Sequence, residues 1–177
     1  MSKILAFAGS NSSTSINQKL VKHIVSSIEN HDTKLINLID YPLPIYGEDE
    51  EKKGFPEMTT ALQKEISESD GLIISVNEHN GSWSAFFKNI IDWLSRLDRN
   101  FLEGKKVLLL STSPGKRGGL SALEFGKSVL PRFGAEIVGS LSFPSFYDNF
   151  SEESNTITDK ELLLNIKQVL DIFTKEI

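Results

Sequence analysis

Five short apolar runs recur along this 177-residue chain, and residues at helical spacing follow each of them. The runs are Ile4–Ala8, Lys34–Leu38, Gly71–Val76, Lys106–Leu110 and Ile137–Phe143. After the first, Leu20, Val21, Ile24, Val25 and Ile28 share one face of a helix. The second helical stretch runs roughly from Glu57 to Ser67, with Pro56 suited to its first turn. The third sets Phe86, Phe87, Ile90, Ile91 and Leu94 on one stripe. The fourth begins near Ser121, where Ser121 and Glu124 form a capping-box pattern, and stops at Gly134. The last opens on a second such pattern, Thr158 with Glu161, and runs to the C-terminus. Strands that alternate with helices in this way bury a parallel sheet between two helical layers.

The runs also order the sheet. The first, third and fourth hold almost no polar side chain until their ends, as central strands do. The second alternates polar and apolar residues, as an edge strand does. The expected architecture is α/β, a five-stranded parallel sheet of order 2-1-3-4-5 with right-handed crossovers. Hydrophobic residues make up 39% of the chain and no internal repeat is visible, so residues 1–177 are expected to form a single domain.

Composition excludes several functions. A net charge of -5 favours neither nucleic acid nor an anionic membrane surface. The opening apolar run is far too short for a signal or a transmembrane segment. Absence of cysteine removes disulfides and thiolate chemistry and fits a cytoplasmic location. Three histidines far apart in sequence make no metal site.

Ligands of such sheets bind beyond the carboxyl ends of the strands, near the point where the strand order reverses. Three loops converge there. The first, Gly9–Ile16, is built of Ser, Asn and Thr and leads into a helix. Ser10, Asn11, Ser12, Ser15 and Asn17 are candidate phosphate donors, and a helix N-terminus favours an anion. The loop lacks the Lys-Ser/Thr of a P-loop and the three glycines of a dinucleotide fingerprint. Equally, Ser15 with Gln18 makes a capping box, which explains the same residues without a ligand. The second loop is Asn77-Glu78-His79-Asn80-Gly81-Ser82, where Gly81 permits close approach of a flat heterocycle to the main chain. Taken singly, Glu78 reads as a solvated or amide-bonded carboxylate and His79 as a surface histidine. The third, Ser111–Gly119, turns tightly on Pro114 and three glycines; Lys116 and Arg117 read either as an exposed basic tip or as a draw for the phosphate of a second substrate.

Together these loops resemble the NADPH-dependent FMN reductase family of flavodoxin-like proteins, which includes chromate, quinone and azo-dye reductases. The family's first loop reads approximately Gly-Ser-Leu-Arg-x-x-Ser-x-Asn, matched by Gly9, Ser10, Ser15 and Asn17. Its next reads Pro-Glu-Tyr-Asn-Gly-Ser, matched by Glu78, Asn80, Gly81 and Ser82. The helix beyond matches closely over Lys88–Arg96. Its last, Ser-x-Ser-Pro-Gly-x-x-Gly-Gly, is matched by Ser111, Ser113, Pro114, Gly115, Gly118 and Gly119. Among the departures, Ser12 stands for Arg, Asn77 for Pro and His79 for Tyr.

The resemblance implies a flavodoxin-like three-layer α/β/α sandwich that binds FMN. Ser10, Ser12, Ser15, Ile16 and Asn17 would hold the phosphate. Glu78, His79, Asn80 and Gly81 would line the isoalloxazine, largely through backbone atoms, and Ser111, Ser113 and Gly118 would approach its other edge. NADPH or NADH would reduce the flavin, which then passes electrons to a quinone, azo, metal or free-flavin acceptor; no side-chain acid or base is obligatory and no metal is needed. The alternatives are a flavodoxin-like electron carrier and a non-enzymatic flavin-binding module. A homodimer or homotetramer is implied as well. Trp93 is expected in packing or at a subunit contact, and Trp83, Phe86 and Phe87 are divided between pocket, contact and core. The run Glu48–Glu51 is expected as a solvated loop face, and Pro42–Tyr46 as a wall of a neighbouring subunit's site.

Overall fold

The computed structural model describes all 177 residues. In chain order the elements are β1 (Lys3–Ala8), α1 (Ile16–Val25), β2 (Asp32–Leu35), α2 (Glu48–Glu51), α3 (Glu57–Ser67), β3 (Gly71–Val76), β4 (Glu78–His79), β5 (Ser82–Trp83), α4 (Ala85–Leu97), β6 (Lys106–Thr112), α5 (Leu120–Val129), β7 (Glu136–Phe143), α6 (Phe146–Asn149), β8 (Phe150–Ser151), β9 (Thr156–Ile157) and α7 (Lys160–Glu176). The main sheet is parallel and runs β2-β1-β3-β6-β7, the expected 2-1-3-4-5 order.

Alternate residues of the central strands feed two cores. Leu5, Phe7, Leu72, Ile74, Val76, Val107 and Leu109 pack with Leu62 and Ile66 of α3, Phe87, Ile90 and Ile91 of α4, and Leu123 of α5. Ile4, Ala6, Ile73, Leu108 and Leu110 pack on the other face with Leu20, Val21 and Ile24 of α1 and Ile166, Leu170 and Phe173 of α7. Each large aliphatic or aromatic side chain so buried stabilises the fold by roughly 1.5–3 kcal/mol. No helix is long and apolar enough to cross a membrane.

Some local expectations are corrected. β2 covers Asp32–Leu35, not Lys34–Leu38. Ile36 N still bonds Ala6 O, but the Asn37 side chain then accepts from Ile39 N and starts a 3-10 turn at Leu38–Asp40, which ends the strand. The Ser121–Glu124 box does not form: Gly119 is the cap residue of α5, in the left-handed region at φ 77°, and Ser121 lies inside the helix. Asp159 rather than Thr158 caps α7, accepting from Leu162 N at 2.8 Å. Pro56 occupies the cap position of α3. The run Glu48–Glu51 forms the short α2 rather than a loop.

Candidate functional site

Loop one leaves β1 at Gly9, whose N–H bonds Ser75 O. Only glycine fits here: an added Cβ would lie 2.6 Å from the Phe87 ring. Ser10 Oγ accepts from Ser12 N, Ser12 Oγ from Thr14 N, and Ser15 Oγ from Gln18 N. Half of the expected capping box is therefore present. The Gln18 carboxamide does not complete it, because it accepts from Ala8 N and donates to Ile36 O, joining the ends of β1 and β2. The N–H groups of Ile16 and Asn17, at the head of α1, have no acceptor within the protein.

Asn17 is 4% exposed, and its side chain turns inward. Its Nδ2 donates to Thr112 O, and its Oδ1 accepts from Ser75 Oγ at 2.7 Å and Thr112 N at 3.1 Å. The Asn17 side chain thus ties α1 to the strand ends, and its main-chain N–H is left without an acceptor.

The loop after β3 is a tight hairpin. β4 and β5 pair antiparallel, and Asn80 and Gly81 turn the chain at φ 51° and 80°. Two consecutive positive φ values are what the Asn-Gly type I′ turn requires. This turn projects its tip into solvent, so Asn80 and Gly81 do not line the cleft described below. The hairpin base is bound to α5. Glu78 Oε2 accepts from Ser121 N at 2.9 Å and Ala122 N at 3.2 Å, and Trp83 Nε1 donates to Ala122 O. Glu78 thus supplies the first-turn acceptor that Gly119 lacks.

In the loop after β6, Ser111 Oγ donates to Gly118 O from a fully buried position. A Cβ on Gly118 would meet Ser142 Oγ at 2.5 Å and the Phe143 carbonyl at 2.7 Å. Ser111 and Gly118 shape the loop from beneath and do not face the cleft, whereas Ser113 does.

These pieces enclose a cleft of about 250 Å³ at the carboxyl ends of β1, β3 and β6. Of the predicted residues it brings together Ser10, Ser12, Ser15, Ile16, Asn17, Glu78, His79 and Ser113. It adds Thr14, Asn77, Thr112, Pro114 and Tyr147. Tyr147 arrives from α6, beyond the three loops that the sequence singled out, after a left-handed bend at Ser145. No Lys or Arg lines the cleft. An anion there would meet neutral donors and the positive end of α1.

A second cluster lies on the outer face of α4. Pro44 O accepts from Asn89 Nδ2 and Trp93 Nε1, and Tyr46 N donates to Asn89 Oδ1. Trp93 is fully buried under this strap, with Tyr46 and Phe55 edge-on to its ring, so it packs within its own chain. Glu51 accepts from Arg96 and from Tyr46 Oη. Arg96 first, then Tyr46, holds the Glu51 carboxyl below the usual carboxylate range. The same contact pushes the Tyr46 phenol up.

Comparison with known proteins agrees with this geometry. An uncharacterised protein of Mycoplasma pneumoniae is 32% identical over 159 residues, 87% of this chain and 93% of that protein. The quinone reductase of Escherichia coli strain K12 is 42% identical over 78 residues, which span 44% of this chain and 42% of the reductase. The solved structure of FerB, a flavoenzyme NAD(P)H:(acceptor) oxidoreductase from Paracoccus denitrificans, superposes with a TM-score of 0.78 at 25% identity, covering 99% of each chain. Residues 2–148 match the family described as NADPH-dependent FMN reductase. The chain belongs to the NADPH-dependent FMN reductase family.

Proposed function

We propose that the chain is an FMN-dependent NAD(P)H oxidoreductase acting on a small-molecule electron acceptor. The observation that carries this reading is the head of α1: the N–H groups of Ile16 and Asn17 have no acceptor, and both residues line a cleft rich in hydroxyls and carboxamides, whose one carboxylate, Glu78, is bonded to the head of α5. That donor set fits a phosphate. Ser10 and Ser12 each accept a loop amide and Ser15 accepts one from the first turn of α1, which fixes the oxygens; the Ser10 and Ser15 hydroxyl hydrogens are left to donate, while Ser12 Oγ shares a hydrogen bond with Thr14 Oγ1. Next to this end, Asn77, His79 and Tyr147 give a partly aromatic, partly polar wall suited to a flat ring.

When bound, FMN would supply the chemistry, taking hydride from a nicotinamide and passing electrons to a quinone, azo, metal or free-flavin acceptor. The chain's own part is to bind and to orient. Ser75 and Thr112 anchor Asn17 and so fix the head of α1. Glu78 and Trp83 fix the hairpin that carries His79. Exposed Ile45, on the strap, is consistent with assembly into a homodimer or homotetramer, which sedimentation tests. The function is tested by titrating the purified protein with FMN and following flavin fluorescence, then mixing the complex with NADPH or NADH in a stopped-flow instrument. Quenching followed by bleaching of the flavin is expected. Absence of quenching refutes the reading, and quenching without bleaching points to an electron carrier.

A further inference from the structure

Asn77 closes β3 at the floor of the cleft and is 9% exposed. Its carboxamide makes one hydrogen bond, between Nδ2 and His79 Nε2 at 3.3 Å, long for a contact of this kind. Its Oδ1 is shielded from solvent and accepts nothing. The neighbouring buried side chains are all hydrogen-bonded. Asn17 Oδ1 accepts twice, and the Ser111 and Thr112 hydroxyls donate to Gly118 O and Phe143 O. A buried acceptor without a donor forfeits its hydration and gains nothing in return, so folded proteins rarely keep one without a use. A leucine of similar outline would fill the same space without that penalty.

We propose that Asn77 is a specificity-determining residue of the cleft, held in reserve by His79, whose Oδ1 accepts the ring imide N–H of a bound flavin. The inference rests on the FMN reading above. Rotation about the Cβ–Cγ bond exchanges the two ends of the carboxamide and brings the oxygen to where Nδ2 now lies. That rotation gives up the 3.3 Å contact of Nδ2 with His79 Nε2 and no other side-chain bond of Asn77; the oxygen then faces the same ring nitrogen, which donates to it in the Nε2–H tautomer until a ligand N–H takes that place. His79 is exposed and sits beside the Asn80–Gly81 turn, so its release disturbs little packing. An oxidised isoalloxazine carries a single ring N–H, at N3 between two carbonyls. An acceptor committed to it separates a flavin from a ring of the same outline that cannot donate, because the unmatched site is left with its buried oxygen unpaired.

The test compares FMN with N3-methyl-FMN, using wild type and Asn77→Leu, with dissociation constants from fluorescence quenching and melting points taken without ligand. Wild type is expected to prefer FMN by about tenfold, a typical consequence of one buried hydrogen bond. Asn77→Leu should bind FMN about tenfold more weakly and lose the preference, yet melt no lower than wild type in the absence of ligand. A carboxamide kept for packing behaves differently: melting point and affinity fall together and the preference survives. Equal binding of the two flavins by wild type, a preference retained in Asn77→Leu, or a lowered melting point in that variant each overturn the proposal. Should Asn77→Leu not fold, Asn77→Ser gives the same comparison, and the wild-type pair stands without either. Wild type that binds neither flavin removes the FMN reading itself.

Discussion

Replacing Glu78 with alanine should destabilise the protein by about 2 kcal/mol without touching a core side chain. The first turn of α5 has no side-chain cap of its own, because Gly119 occupies that position. Two of its N–H groups, on Ser121 and Ala122, are instead accepted by one carboxylate oxygen that reaches them from the base of the β4–β5 hairpin. Losing a cap costs about 0.5–2 kcal/mol. Hydrogen bonds to a charged acceptor contribute about 1.5–3 kcal/mol, and a carboxylate at a helix head adds about 0.3–1 kcal/mol through the dipole. These overlap, since one oxygen serves all three roles, and water replaces part of what is lost; about 2 kcal/mol is the central value. For a domain of this size that is a fall in melting temperature of roughly 4–8 °C. Glu78→Gln keeps an acceptor oxygen and loses only the charge, so it should lie between the two, within about 1 kcal/mol of wild type. Urea denaturation followed by circular dichroism measures all three proteins. Glu78→Ala within 0.5 kcal/mol of wild type would refute the capping argument, as would Gln and Ala variants of equal stability.

Other expectations follow from the same geometry. Ser12→Arg should tighten FMN binding by about tenfold at low salt and make it fall with added salt, whereas wild-type affinity changes little, because no Lys or Arg lines the cleft. Calorimetric titration at two salt concentrations checks both halves. Asn17→Ala removes a carboxamide that makes three buried hydrogen bonds and strands Ser75 Oγ and Thr112 N; a loss of about 2–4 kcal/mol in chemical denaturation is expected. Glu51 has a depressed carboxyl in the folded protein, so its ion pair stabilises above the unfolded value of about 4.5 and fades as pH falls through the folded one. Melting curves of wild type and Glu51→Gln should therefore differ near pH 6 and converge in strong acid; a constant offset would count against the pairing.

The sheet was legible because its central strands are unbroken apolar runs, and those runs have no alternative in a chain of this length. What misled was local pattern where a distant group decides. Ser121 with Glu124 reads as a capping box only until Glu78, more than forty positions earlier, is known to hold those amides. Asn17 stands at a helix head with its main-chain N–H unpartnered, but nothing local shows that its side chain bonds Ser75 and Thr112 of two other strands. β2 ends early because the Asn37 side chain accepts from Ile39 N, an event that polar–apolar alternation does not register. The Asn80–Gly81 hairpin signal was in plain view, yet strands of two residues are too short to show a period. Tyr147 had no such signal: a bend at Ser145 brings it to the cleft from beyond the last strand of the main sheet. The cleft as a meeting place of three loops was legible, since topology alone dictates it.

The tie made by Asn17 has a consequence for how this molecule can change shape. A parallel sheet is weakest as a platform where its crossovers part to opposite sides, since helices there diverge and leave a crack between strand ends. Here one carboxamide is stretched across that crack, joining the helix that follows β1 to the ends of β3 and β6. The floor of the cleft is therefore braced across three elements. Adjustment is left to the rim: the hairpin tip, the basic turn at Lys116–Arg117, and the ring of Tyr147. A braced floor beneath margins free to differ lets one scaffold present clefts of many outlines, and new preferences can arise at the margins without renegotiating the fold.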